Sequence, residues 1–130
     1  IELLKEDKLE LIARTTAPNG FARDNRKRFA DFIDECVEMY SVNEKAGVIA
    51  SLNGMKIRED MNEFVASTTI PHMFVFGMKD FYISWEVAEG LMAKFPKAET
   101  LVLENSGHMG FVEEPKKSLE AIVAFAEKCA

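Results

Sequence analysis

Asp80 and His108 are the two side chains whose type and setting best suit proton transfer. Each follows a short apolar run. Ile70 to Phe76 empties into Gly77-Met78-Lys79-Asp80, and Leu101 to Leu103 empties into Ser106-Gly107-His108-Met109, with Glu113-Glu114-Pro115 beyond. An imidazole in a partly shielded loop sits near neutrality and moves protons at physiological pH. A carboxylate accepting its other ring hydrogen fixes the tautomer and stabilises the imidazolium that forms. Together they are two thirds of a charge relay. Blander roles remain open at this level: Asp80 also suits a turn that caps the next helix, and a lone loop histidine is often simply solvated.

The elements that must place these residues follow from pattern. His72-Met73-Phe74-Val75-Phe76 shows no polar alternation, as expected of a strand buried on both faces. Ser84 can cap a helix with apolar positions Val87, Ala88, Leu91, Met92 and Phe95, ended by Pro96. Thr100-Leu101-Val102-Leu103 follows as a second buried strand. That spacing fits a strand, helix, parallel-strand crossover. Pro115 opens a last helix whose buried face is expected at Leu119, Ile122, Val123 and Ala126. In open parallel sheets, functional residues sit in loops at the carboxyl ends of strands, where Asp80 and His108 both fall.

The first half reads as helical. A short charged helix is expected over Glu2 to Lys8, then a turn-rich break from Thr15 to Gly20. From about Asp24 to Tyr40, apolar residues at Phe29, Phe32, Ile33, Cys36, Val37 and Tyr40 form one helical stripe, with Asp24 or Asn25 as cap. A second helix from Glu44 to Leu52 is expected to stop at Asn53-Gly54, and a third to run from Arg58 to Ala66. Two parallel strands cannot make a stable sheet alone, so further strands are expected from a missing part of the chain or a second copy.

Composition narrows the classes. The chain has 130 residues, 48% of them hydrophobic, and a net charge of −6 with both signs interspersed. That suits one globular core and disfavours nucleic acid or an anionic membrane as partner. Cys36 and Cys129 lie far apart without metal-ligand spacing, which fits a reduced, cytoplasmic setting. No apolar stretch approaches a membrane span. No metal cluster, phosphate loop or dinucleotide fingerprint is visible, and nothing requires a cofactor. The sequence starts at Ile1, which reads as a processed, trimmed or subcloned start.

With these motifs in place, the stretch from Met55 onward resembles the C-terminal half of an α/β-hydrolase. The matching parts are Gly54-Met55-x-x-Arg58-x-Asp60, Ile70-Pro71 through Gly77 and Asp80, and Ser106-Gly107-His108 through Glu113-Glu114-Pro115. In that family the acid follows the seventh strand and the histidine the eighth. The resemblance therefore implies a partial α/β-hydrolase fold, with residues 1–54 as a helical cap and 55–130 as the last part of the core. It implies Asp80 and His108 as catalytic residues, and a small hydrophobic ester or acyl compound as substrate. The family's G-x-S-x-G elbow is absent: Ser41, Ser51, Ser67, Ser84, Ser106 and Ser118 all lack that setting. The nucleophile would lie upstream of Ile1, and the chain by itself would be nearly inactive, since losing a relay nucleophile costs on the order of a million-fold. A silent relative, or a non-catalytic dimerisation module, is the alternative. His72 reads as structural, Cys36 as a core residue, and Trp85 as a rim or covering residue.

Overall fold

In the computed structural model, residues 8–130 are described; the helix expected over Glu2 to Lys8 lies almost wholly outside them. Helix α1 spans Leu9–Thr16, α2 Ala30–Ser41, α3 Lys45–Ile57 and α4 Asn62–Ser67. Strand β1 (Met73–Gly77) is followed by α5 (Trp85–Lys94) and β2 (Glu99–Leu103). A short α6 (Gly110–Glu113) and a long α7 (Pro115–Cys129) close the chain. Two short 3-10 segments, Ala17–Gly20 and Arg23–Asn25, join α1 to α2.

The strands pair in parallel, with Val75 opposite Leu101 and Gly77 opposite Leu103. This is the crossover that the spacing predicts. Ser84 caps α5 as expected, its Oγ accepting from Val87 N at 3.3 Å. The strands are less buried than their apolar sequence suggests: Val75 is 43% exposed. The expected buried face of α7 is also open, with Leu119, Ile122 and Val123 all exposed, and Ser118 is the helix's buried residue. An apolar face buries itself only where another layer covers it.

Three further expectations change. Helix α1 was not foreseen; Ala13 is its buried position and α2 is its main packing partner. Helix α2 starts at Ala30 without a side-chain cap, because Asp24 and Asn25 are used elsewhere. Helix α3 runs through Asn53-Gly54 to Ile57, since a glycine costs only about 1 kcal/mol inside a helix and nothing crowds Gly54. The break falls instead at Arg58, whose backbone turns extended. Asp60 Oδ1 then accepts from Asn62 N at 2.8 Å to start α4. That backbone hydrogen bond, with the side-chain bond from Asn62, holds the Asp60 carboxyl below its usual range.

The core concentrates where α1, α2 and the segment between them meet the loop after β2. Phe21, Ala22 and Ala13 are essentially fully buried, with Ile33 and Val37 from α2 behind them. The Phe21 ring stands 5.7 Å from Phe29 and 6.1 Å from Phe32, within the usual range for aromatic pairs. Among the described residues, no helix is long and apolar enough to cross a membrane.

Candidate active site

Gly77 ends β1 where the chain after β2 passes directly over it. A Cβ there would collide with the Gly107 and Ser106 carbonyl oxygens. The absent side chain lets two backbones touch: Met78 N donates to Leu103 O at 3.0 Å and Lys79 N to Ser106 O at 2.9 Å. The acid loop and the histidine loop are thus fastened before any side chain acts.

Asp80 performs two tasks, one with each oxygen. Oδ1 accepts from Tyr82 N at 2.7 Å and Ile83 N at 3.2 Å, closing the turn that leads to α5. Oδ2 meets His108 Nδ1 at 2.7 Å. The blander reading of Asp80 as a turn residue and the sharper one as a histidine partner both describe it. An ionised carboxylate only accepts, so Nδ1 carries the hydrogen and donates it. Nε2 is then the nitrogen with a lone pair free to take a proton. The Asp80 side chain is 6% exposed and that of His108 49% exposed, so the acid is shielded while the imidazole faces an open space.

His108 is held from both sides along its backbone. Gly107 N donates to Glu113 Oε2 at 2.7 Å, and Met109 N donates to Gly20 O at 2.8 Å. The buried Glu113 carboxylate also accepts from Ala22 N and Asn25 Nδ2, both at 2.8 Å. Its neighbour Glu114 accepts from Ser106 Oγ at 2.7 Å and Asn105 N at 3.0 Å. Two adjacent carboxylates therefore clamp the turn before His108, and one ties that turn to the segment between α1 and α2. Gly107 permits this contact, because a Cβ there would stand 2.6 Å from Ala22 N and 2.8 Å from Phe21 C. A second tie is the ion pair of Lys79 Nζ with Asp24 Oδ2 at 2.8 Å, whose hydrogen bond and charge hold the Asp24 carboxyl below its ordinary value.

Tyr82 belongs to the site although sequence reasoning passed over it. Its ring stands edge-on to the His108 imidazole at 5.3 Å, and its hydroxyl donates to Thr16 O at 3.1 Å at the end of α1. Burial, and next the Asp80 charge, push its phenol above the usual range. In the sequence, Glu113 stands out only as part of a motif and Asn25 only as a helix cap. The one available signal was two carboxylates just beyond a histidine loop.

An apolar cavity of about 570 Å³ opens beside the imidazole. His108, Met109, Tyr82, Phe21, Cys36 and Tyr40 are among the residues around it. Cys36 is thus a cavity wall rather than core, and burial followed by the Glu35 charge pushes its thiol pKa up, away from the reactive thiolate. A separate space of about 210 Å³ is lined by Asp80, His108 and Val75 together with Ser118 and Ile122 of α7. Arg58, His72 and Trp85 lie outside the cluster. His72 Nδ1 meets Ile70 O at 2.9 Å and its ring packs on Phe74, which suits the structural role expected of it. Among the described residues, no three His, Cys, Asp or Glu side chains gather as metal ligands would.

The fold recurs in a solved structure. An esterase from Exiguobacterium antarcticum superposes with a TM-score of 0.76 over 97% of this chain and 46% of its own, at 20% identity. The chain has an α/β-hydrolase-like fold. Curated relatives agree with the resemblance read from the motifs. The pimeloyl-[acyl-carrier protein] methyl ester esterase of Yersinia enterocolitica is 23% identical over 125 residues, 96% of this chain and 48% of that protein. The enzyme of the same name from Hamiltonella defensa is 27% identical over 77 residues, 58% of this chain and 30% of its own. No protein-family model matches. The chain spans about half the length of the curated relatives that match it from end to end.

Proposed function

We propose that this chain is the C-terminal half of an α/β-hydrolase that cleaves carboxylic esters. Residues 1–54 form the cap over the site and 55–130 complete the core. The observation that carries the reading is the 2.7 Å contact between Asp80 Oδ2 and His108 Nδ1, at the ends of adjacent parallel strands and beside an apolar cavity. In the reaction, a serine from outside the chain attacks the ester carbonyl as His108 Nε2 takes its proton. His108 then returns that proton to the departing alcohol, and Asp80 stabilises the imidazolium between the two steps. Water repeats the sequence to free the acid. The substrate's acyl group is apolar, as the cavity lining is.

Changing His108 to Ala in the longer protein, assayed with p-nitrophenyl esters, tests the assignment. Turnover should fall by about five to six orders of magnitude; unchanged turnover rejects the role. The unpaired edge of β1 and the open face of α7 favour a second reading, a module that pairs with another copy of itself. A discrete dimer of this chain, lost when its upstream half is supplied, would reconcile both readings.

A further inference from the structure

Asp80 grips the His108 ring at a single atom, the 2.7 Å contact of Oδ2 with Nδ1. One distance constrains one of the ring's two side-chain torsions and leaves the other free. The outer torsion of a histidine is intrinsically broad, so the ring can rock with Nδ1 in place. Nε2, on the far side of the ring, would swing with it. The side chain is 49% exposed, so packing opposes that motion over only part of its surface. A second contact has to set the plane.

Tyr82 supplies it. The two ring centroids are 5.3 Å apart and the planes stand at 73°, an edge-on pairing. The tyrosine is itself tied at both ends. Its backbone N donates to Asp80 Oδ1 at 2.7 Å, and its hydroxyl donates to Thr16 O at 3.1 Å, where α1 ends. Burial, and next the Asp80 charge, push the phenol up, so the hydroxyl stays a donor at neutral pH. Helix α1 packs on α2 with Ala13 buried, so the hydroxyl is anchored to a packed unit. The acid turn, the histidine and the first helix therefore meet at one side chain.

We propose that Tyr82 is a positioning residue for ester hydrolysis: its ring sets the plane of the His108 imidazole and so aims Nε2, and its hydroxyl ties that ring to α1. This rests on the reading of His108 as the base of an ester hydrolase. Tyr82 acts through His108 and takes no proton itself. Substitution at this position leaves the backbone bond from residue 82 to Asp80 Oδ1 in place, so the ring and its tie can be removed separately from the acid turn. Phe81 is the natural control: it sits in the same turn, is 66% exposed, and its ring pairs with Tyr82 at 5.5 Å.

Two measurements test the role. In the longer protein, kcat and KM are measured with p-nitrophenyl acetate, whose small acyl group gains little from an apolar cavity. Tyr82→Leu removes the ring and should lower kcat about 10- to 100-fold with KM nearly unchanged, the scale of a misplacement of about 1 Å. Tyr82→Phe keeps the ring without its tie and should fall between, about three- to tenfold below wild type. Phe81→Leu should leave kcat unchanged. Unaltered kcat in both Tyr82 variants, a loss carried by KM, or an equal fall in Phe81→Leu overturns the proposal. In the present chain, the two ring ¹⁵N shifts of neutral His108 should move toward a tautomer mixture in Tyr82→Leu, and less so in Tyr82→Phe. Wild-type shifts in Tyr82→Leu overturn the proposal even where turnover falls. Should Tyr82→Leu fail to fold, the Tyr82→Phe values decide alone. Should His108→Ala leave turnover unchanged, the hydrolase reading fails, and the ring shifts still decide whether Tyr82 holds the imidazole.

Discussion

Around His108 the backbone is clamped from several directions, whereas among the described residues one face of the same strands and of α7 stays open. At the loop end, Gly77 and Gly107 let backbones touch, Glu113 and Glu114 take five hydrogen bonds, and Ser106 and Leu103 are fully buried. A few residues away, Val75, Leu119, Ile122 and Val123 are exposed. The difference teaches that the geometry of the histidine loop is secured locally, by groups inside this chain. The sheet's body has no such local fastening on its Val75 face among the described residues. Under the fragment reading proposed above, this open apolar surface is where the upstream half would pack.

The contrast can be broken at its tight end first. Glu113→Ala removes the acceptor for two buried backbone donors, Ala22 N and Gly107 N. At roughly 1–3 kcal/mol for each buried group left unpaired, the loss should be about 2–5 kcal/mol, read from urea unfolding. A loss below about 0.5 kcal/mol would mean that the clamp is ornamental. Gly107→Ala comes next, costing about 1–3 kcal/mol because the intruding methyl meets backbone that cannot move aside.

The bare end predicts the opposite. Leu119→Lys should change the stability of this chain by no more than about 0.5 kcal/mol, as for an ordinary surface site. In the longer protein the same change should destabilise by several times that amount, since a lysine would then be buried without a partner. Equal effects in both would remove the contrast. The smallest effect belongs to Lys79→Ala. Asp24 is depressed in the folded state, so its pairing stabilises above the ordinary value of 3.8 and is lost as pH falls through the lowered one. Wild type and variant should differ slightly in thermal midpoint at neutral pH and coincide in strong acid; a difference that persists in acid would exclude this pair as its source.

Much of the site-bearing half was legible in the sequence because its signals are local. Apolar runs, a serine cap and a proline start placed β1, α5, β2 and α7, and two glycines marked the loops that carry Asp80 and His108. The turn role and the histidine contact of Asp80 were both foreseen, and each uses its own oxygen. What escaped depends on distant partners. Asn25 suits a helix cap by type, yet its amide reaches Glu113 and Asn105, some eighty residues away. Tyr82 carries no motif, and only folding sets its ring against His108 and its hydroxyl on α1. The face of α7 was read correctly as apolar and wrongly as covered, because periodicity reports what a helix could bury and not what is there to bury it.

The most direct test of the Asp80–His108 pairing is the tautomer of the neutral His108 ring, read from its two ¹⁵N shifts in this chain. The contact predicts the hydrogen on Nδ1, with Nε2 unprotonated, and a return to the Nε2–H form in Asp80→Asn. A wild-type ring already carrying its hydrogen on Nε2, as a freely solvated imidazole prefers, would contradict it.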